Sequence, residues 1–295
     1  MTDRKFFTVV GAGKTLTASS KKVHRTQGFP WLSVILLGAI VLCCLFAEVL
    51  MTKDPSYLDL QNYRVAPNAE FLFGTDTLGR DIYSGIWYGG RISIAIGFFA
   101  TLISTFIAIV YGSASGLAPD WLDTLMMRFT EIFLSVPGLL LVLFLQAILG
   151  EANVVTLSVV LGVTSWAGIA KVVRTEVRRL RHSEYVIASR CLGGGFFHIL
   201  GRHLVPNLIA SIMFMVVMNV RTAIALEATL SFMGMGLPLG VISWGSMLSS
   251  AEKALLSGSW WIILIPGAFL VTLLMCLTNV GNYLRKAANR KESNL

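Results

Sequence analysis

Six stretches of the chain are apolar for long enough to cross a bilayer, and polar segments separate them. Residues 31–51 are nearly free of charge, with Glu48 close to one end, and residues 92–111, 132–149, 154–173, 208–232 and 260–284 repeat the pattern. About 20 helical residues at ~1.5 Å each match a hydrocarbon core of roughly 30 Å. Helices satisfy their own backbone hydrogen bonds, which hydrocarbon cannot do. The pattern therefore predicts an all-α, polytopic membrane protein with six transmembrane helices. Pro137 should kink the third span, and Pro266 lies inside the sixth. The second span runs into Gly112-Ser113-Ala114-Ser115-Gly116, a spacing of small residues that lets helices approach closely.

Composition agrees: 55% of the 295 residues are hydrophobic and only 14% are charged, more apolar surface than a soluble core of this length needs. The net charge of +8 sits in segments that flank the spans. Arg4, Lys5, Lys14, Lys21, Lys22 and Arg25 precede the first span. Lys171, Arg174, Arg178, Arg179 and Arg181 end the fourth, and Arg285, Lys286, Arg290 and Lys291 follow the sixth. The connector 52–91 carries four basic and five acidic residues. The positive-inside rule then puts both termini and the segment after the fourth span in the cytosol, the arrangement an even number of spans also requires. Membrane topology explains the charge, and nucleic acid is not a predicted partner. Cys43, Cys44, Cys191 and Cys276 have no Cys-x-x-Cys spacing, so neither a disulfide framework nor a zinc site is signalled. The first apolar run begins near Trp31 and is too long for the core of a secretory signal.

Gly11-Ala12-Gly13-Lys14-Thr15 looks like the end of a phosphate-binding loop, but Thr8 stands where the first glycine is required. It reads as a cytosolic tail, and any ATPase would be a separate protein. Arg221 is the most unusual intramembrane residue, because an arginine at mid-span costs roughly 3 kcal/mol unless it faces protein or water. It either lines a translocation path and meets carboxylates of cargo, or it pairs with a neighbouring helix or subunit. Glu227, six residues on, does not share its helix face. His182 and His203 lack metal-ligand spacing, Trp260 and Trp261 suit an interfacial belt, and no nucleophile–base pair appears. Internal repeats, which a stand-alone secondary transporter would need, are not visible.

Residues 184–207 form a polar island between the fourth and fifth spans. Residues 184–190 should form a short helix, broken by Gly193-Gly194-Gly195, and residues 196–204 a second, stopped by Pro206. Phe196, Phe197, Ile199 and Leu200 would give this knob an apolar face, and Arg190 and Arg202 charge. It suits a groove on a soluble partner or, alternatively, an anionic lipid surface.

The island resembles the EAA loop of ABC-transporter permeases. Gly193 and Pro206 keep that loop's glycine-to-proline spacing, Glu184 and Ala188 stand where the dipeptide and oligopeptide branch places Glu and Ala, and His203 and Val205 replace its Ile and Leu. The likeness extends along the chain. Phe73-Gly74-Thr75-Asp76-Thr77-Leu78-Gly79-Arg80-Asp81 resembles a signature of the C-type permease of dipeptide, oligopeptide and nickel importers. So do Asp123, Met127, Arg128, Glu131 and Pro137, then Leu230-Ser231-Phe232-Met233-Gly234-Met235-Gly236, and Trp244-Gly245-Ser246-Met247-Leu248. The proline-rich turn, the late Gly-Asp and the terminal Leu-Asp-Pro of the family are altered or missing.

The resemblance implies a type I ABC importer with a methionine-importer-like permease fold in the bacterial inner membrane. It implies a second homologous permease, two ABC ATPases that hold ATP and magnesium, and an extracytoplasmic binding protein; this chain itself binds no cofactor. It divides the chain into a tail at 1–30, a first helix and outer connector at 31–75, a permease core at 76–285 and a tail at 286–295. Glu184, Ala188, Arg190, Gly193, Phe196, Phe197 and Pro206 would couple to the ATPase. Asp76, Arg80, Asp81 and Trp244 would dock the binding protein. Peptide is the implied cargo, with nickel or a metal–chelator complex as the alternative.

Overall fold

A computed structural model describes residues 29–238, 240–250, 254 and 258–292. The glycine-rich tail segment at 11–15 lies outside them. Among the described residues the chain is helical, without a named strand, and only an isolated bridge joins Thr75 and Asp81. The helices are α1 (Trp31–Leu45), α2 (Ala47–Leu50), α3 (Ile82–Leu117), α4 (Asp120–Ser135), α5 (Gly138–Leu149), α6 (Val154–Thr164), α7 (Trp166–Leu180), α8 (Glu184–Cys191), α9 (Phe196–Ile199), α10 (Val205–Phe232), α11 (Trp244–Ser249) and α12 (Trp261–Glu292).

Among the described residues, three helices are long and apolar enough to cross a bilayer unbroken: Ile82–Leu117, Phe196–Phe232 and Trp261–Ala288. Two pairs reach that length only together, α4 with α5 across an 89° bend and α6 with α7 across a 45° bend. The shorter apolar helix α1 has 15 residues. These elements are compatible with six spans, although only three are continuous.

The boundaries moved where small residues hid a helix. The second span begins at Ile82, ten residues before its apolar run. Asp81 caps it by accepting the Ser84 N–H at 3.0 Å. Its first turns are rich in glycine because they touch protein: a Cβ on Gly90 would lie 2.6 Å from the Trp244 ring. The same logic holds α3 against α7. A Cβ on Gly112 would meet Ala170 O at 2.6 Å, and one on Gly116 would meet Val177 at 2.7 Å. The small-residue spacing is therefore a helix contact.

Pro137 does more than kink the third span; the chain turns there and restarts as α5. Pro206, in contrast, does not stop the second island helix. A π-helical turn, Leu200–Leu204, joins α9 to α10, and the Val205 N–H reaches back five residues to Leu200 O. The wider turn accommodates a residue that has no N–H to give, so the helix runs on to Phe232.

Among the described residues, three clusters form the core. One, at the island end, gathers Trp166, Ile169, Val173 and Val177 of α7 with Val186, Ile199, Leu204, Leu208 and Ile212. A second, at the connector end, gathers Ile82, Ile86, Trp244 and Ile262. The third joins α3, α6 and α10 through Ile96, Leu157, Leu161 and Leu230.

Candidate functional site

The island is built on α7, which divides its surface between packing and charge. Trp166, Ile169, Ala170, Val173 and Val177 are buried at helical spacing. On the other side Arg174 and Arg178 converge on Asp123 of α4, whose side chain is 3% exposed. Arg174 donates through both Nε and Nη2, Arg178 Nη1 donates at 3.0 Å, and Ser115 of α3 donates to the same carboxylate. Arg178 also reaches Asp120 at 2.8 Å, and Arg181 Nη1 donates to Gly116 O at 3.3 Å. The base of the island is thus tied to two other helices.

Beyond Arg181 the chain turns into α8. Val186 is fully buried in the island-end core, while Glu184, Tyr185, Ile187 and Ala188 are exposed. The helix closes at Gly193, which takes φ +85°, and the Gly194 N–H returns to Ser189 O at 2.9 Å. This left-handed close favours glycine. Arg190 lies within α8. Ile199 and Leu200 are buried, Phe196 is half-buried, and Phe197 is 79% exposed. The expected apolar face is therefore corrected: Ile199 and Leu200 seat the knob on its own bundle, and Phe197 with Leu192 points outward. Pro206 is exposed one turn further on. Between α8 and α9 lies an open groove of about 600 Å³ lined by Tyr185, Ala188, Leu192, His198 and His203.

The connector end is built differently. Asp76 accepts N–H groups of Leu78 at 2.7 Å and Arg80 at 2.9 Å, which folds the signature into a tight turn. Burial pushes its carboxyl above the usual range, against the pull of those two donors and the Arg80 charge. Gly79 takes φ +74° with its Cα against Asp59. Asp76 and Arg80 are half-buried. Asp81 and Trp244 are interior, a correction to their expected part in docking. Asp81 caps α3 and accepts from Thr52 and Ser84. Trp244 has no exposed surface, and its indole N–H donates to Ile86 O at 2.8 Å. Trp244 offers no surface to a docked protein in this conformation, and Asp81 only the floor of a cleft that it lines with Asp76 and Arg80.

Arg221 sits in α10, half-buried, and makes no ion pair among the described residues; its Nε is buried without a hydrogen-bond partner. Glu227, two turns on, is fully buried and accepts from Ser93, Ser231 and Ser243. The two charges serve separate surroundings. Sequence reasoning missed the anchoring part of Glu227. Its one signal was a carboxylate inside an apolar span, since only Ser231 shares its helix, while Ser93 comes from α3 and Ser243 from the segment before α11.

Comparison with known proteins places this architecture. The family description "Binding-protein-dependent transport system inner membrane component" matches residues 108–290. The chain is 36% identical over 267 residues to the oligopeptide transport system permease protein OppC of Bacillus subtilis, covering 90% of this chain and 87% of that protein. It is 38% identical over 233 residues to the dipeptide transport system permease protein DppC of the same organism, covering 79% and 72%. An inward-facing structure of the MetNI methionine ABC transporter superposes with a TM-score of 0.53 at 18% identity, covering 69% of this chain and 96% of that one, a likeness of fold. The chain belongs to the family of binding-protein-dependent transport system inner membrane components: it is a multi-pass membrane permease of the ABC importers, a transport subunit and not an enzyme.

Proposed function

We propose that this chain imports peptides as one of two homologous permeases, driven by two ABC ATPases and supplied by an extracytoplasmic binding protein. The observation that carries the cargo reading is the extended identity to permeases named for oligopeptide and dipeptide transport. ATP and magnesium belong to the ATPases. Both termini and the island face the cytosol of the bacterium, a reading supported by the basic residues that flank them. The core is residues 76–285, with 31–75 as an added helix and connector.

The island is the coupling element. Its buried side, Val186, Ile199 and Leu204, binds it rigidly to α7 and α10, and its exposed side offers Glu184, Ala188, Phe197 and the groove. A shift of the ATPase is then passed to α7, and through Arg174 and Asp123 to α4. Such rigid-body tilting between two states is the physical basis of alternating access. Asp76 and Arg80 form the turn on which the binding protein docks. Arg221 lines the path, where an unpaired guanidinium would meet a peptide carboxylate.

The test is uptake of a labelled peptide into proteoliposomes holding the complex purified through this chain. Uptake that requires ATP and binding protein, and that falls in Arg221→Ala with assembly intact, is expected. Uptake by this chain alone without ATP would overturn the proposal, and Arg221→Ala complexes that fail to assemble would move Arg221 from path to subunit contact.

A further inference from the structure

The island-side helix α4 carries two features that the transport reading does not use. Trp121, Leu125, Phe129 and Ile132 are 71%, 61%, 55% and 68% exposed. At 100° per residue they fall within one stripe about 80° wide. The opposite side of the helix is fixed to protein. Asp123 and Thr130 are buried, and Met126 O accepts the Tyr111 hydroxyl at 2.8 Å. The following helix, α5, leaves at 89°. With 12 residues, α5 reaches bilayer-crossing length only together with α4, so the stripe belongs to the span and is turned to acyl chains wherever no subunit covers it.

Beside that stripe is a polar cleft of about 410 Å³ between α4 and α7, lined by Thr124, Arg128, Glu131, Lys171 and Arg174 among others. Its charges do not balance. Arg128 is matched by Glu131 at 3.1 Å, and Arg174 by Asp123. Lys171 is half-buried, and among the described residues its ammonium has neither an ion pair nor a hydrogen bond. A cation at the mouth of a cleft with a net positive lining attracts an anion. On the helical wheel Arg128 stands at the border between the stripe and the cleft, about 20° from Trp121.

We infer that the α4–α7 cleft holds the phosphodiester headgroup of an anionic phospholipid, with Lys171 as its principal contact and the stripe of α4 packed on the acyl chains. One amphiphile satisfies both features: its phosphate neutralises the excess charge, and its chains cover the apolar stripe. A free phosphate would satisfy only the cleft. A protein subunit over the stripe would leave Lys171 to find a separate anion. The inference rests on the cytosolic placement of the island, since anionic lipid and basic flanks meet on that side, but not on the identity of the cargo.

The test is the lipid retained by the complex purified from its native membrane through this chain, measured by native mass spectrometry with phosphatidylglycerol and phosphatidylethanolamine as probes. The wild type should retain phosphatidylglycerol selectively. Lys171→Glu and Lys171→Gln should each lower that retention, the first by about fivefold or more, the scale of one basic residue near a charged membrane surface. Lys53→Glu, in the outer connector, should not. Where Lys171→Glu fails to assemble, the Gln variant carries the comparison. Unchanged selectivity in both Lys171 variants overturns the inference. Release of the lipid by inorganic phosphate would identify a free-anion site, and efficient cross-linking of Leu125→Cys to a second subunit would identify a protein cover. Either result also overturns it, and neither bears on peptide uptake.

Discussion

Glu227 of α10 and Ser243, just before α11, are joined by a 2.7 Å hydrogen bond inside the bundle. Ser231 and Ser93 donate to the same carboxylate at 3.0 and 2.9 Å. Each hydroxyl in turn accepts one backbone N–H, from Ser246, Leu237 and Trp244 respectively. One buried carboxylate thereby holds Leu237, Trp244 and Ser246 to α10 and α3. Glu227→Ala leaves three hydroxyls without an acceptor, at a cost on the order of 3 kcal/mol. Glu227→Gln should cost less, because its carbonyl oxygen can still accept from two serines. Hydrogen exchange at Leu237, Trp244 and Ser246 checks this: their amides should lose protection in the Ala variant, and unchanged protection would remove the anchoring role.

The connector turn depends on Gly79. A Cβ there would lie 1.7 Å from Asp59 O, and the backbone is left-handed at φ +74°. Gly79→Ala should therefore disrupt the connector, seen as new protease cleavage between residues 52 and 81 in the purified complex. Gly193 has the same backbone hand, but nothing lies within 4 Å of an added Cβ. Gly193→Ala should cost only about 1 kcal/mol and leave the bundle intact.

Asp123 serves two arginines from a position 3% exposed, whereas Lys53 and Glu70 pair at 36% and 70% exposure. A double-mutant cycle on Asp123 and Arg174 should give a coupling of about 1–3 kcal/mol. The same cycle on Lys53 and Glu70 should give less than about 1 kcal/mol. Thermal unfolding of the four variants of each set measures both, and equal couplings would contradict the burial argument.

Phe197 and Leu200 separate coupling from stability. Phe197→Ser removes an exposed ring and should lower ATP-dependent uptake while the melting temperature of the complex stays within about 1 °C of wild type. Leu200→Ser places a hydroxyl in the island-end core and should destabilise the bundle by about 2–4 kcal/mol. A fall in melting temperature with Phe197→Ser would show that the ring supports the fold instead.

The all-helical membrane fold was legible because long apolar runs between charged segments have few other solutions in a bilayer. Helix ends were less legible. The first turns of α3 carry Gly85 and Gly90 where they pack against Met247 and Trp244, and a hydropathy run cannot see a partner more than a hundred residues away. Pro137 and Pro206 look alike in sequence, yet one ends a helix and the other sits in a continuous one after a π turn. What separates them is tertiary: the core contacts of Leu200, Leu204 and Leu208 hold the second helix together. Among the candidate site residues, the island could be read as a unit from its glycine break. Which of its apolar residues faces outward depended on where α7 and α10 lie. Trp244 and Asp81 stood in a recognisable signature, but their burial was not written there.

In the proposed mechanism a separate ATPase drives this chain through residues 184–206. The most direct measurement is site-specific photo-cross-linking from Phe197 in the assembled complex, with and without ATP, followed by mass spectrometry of the captured chain. Capture of a protein that carries a complete phosphate-binding loop is expected, with a yield that changes when ATP is added. Capture of lipid alone, in a complex that still transports its cargo, would contradict it.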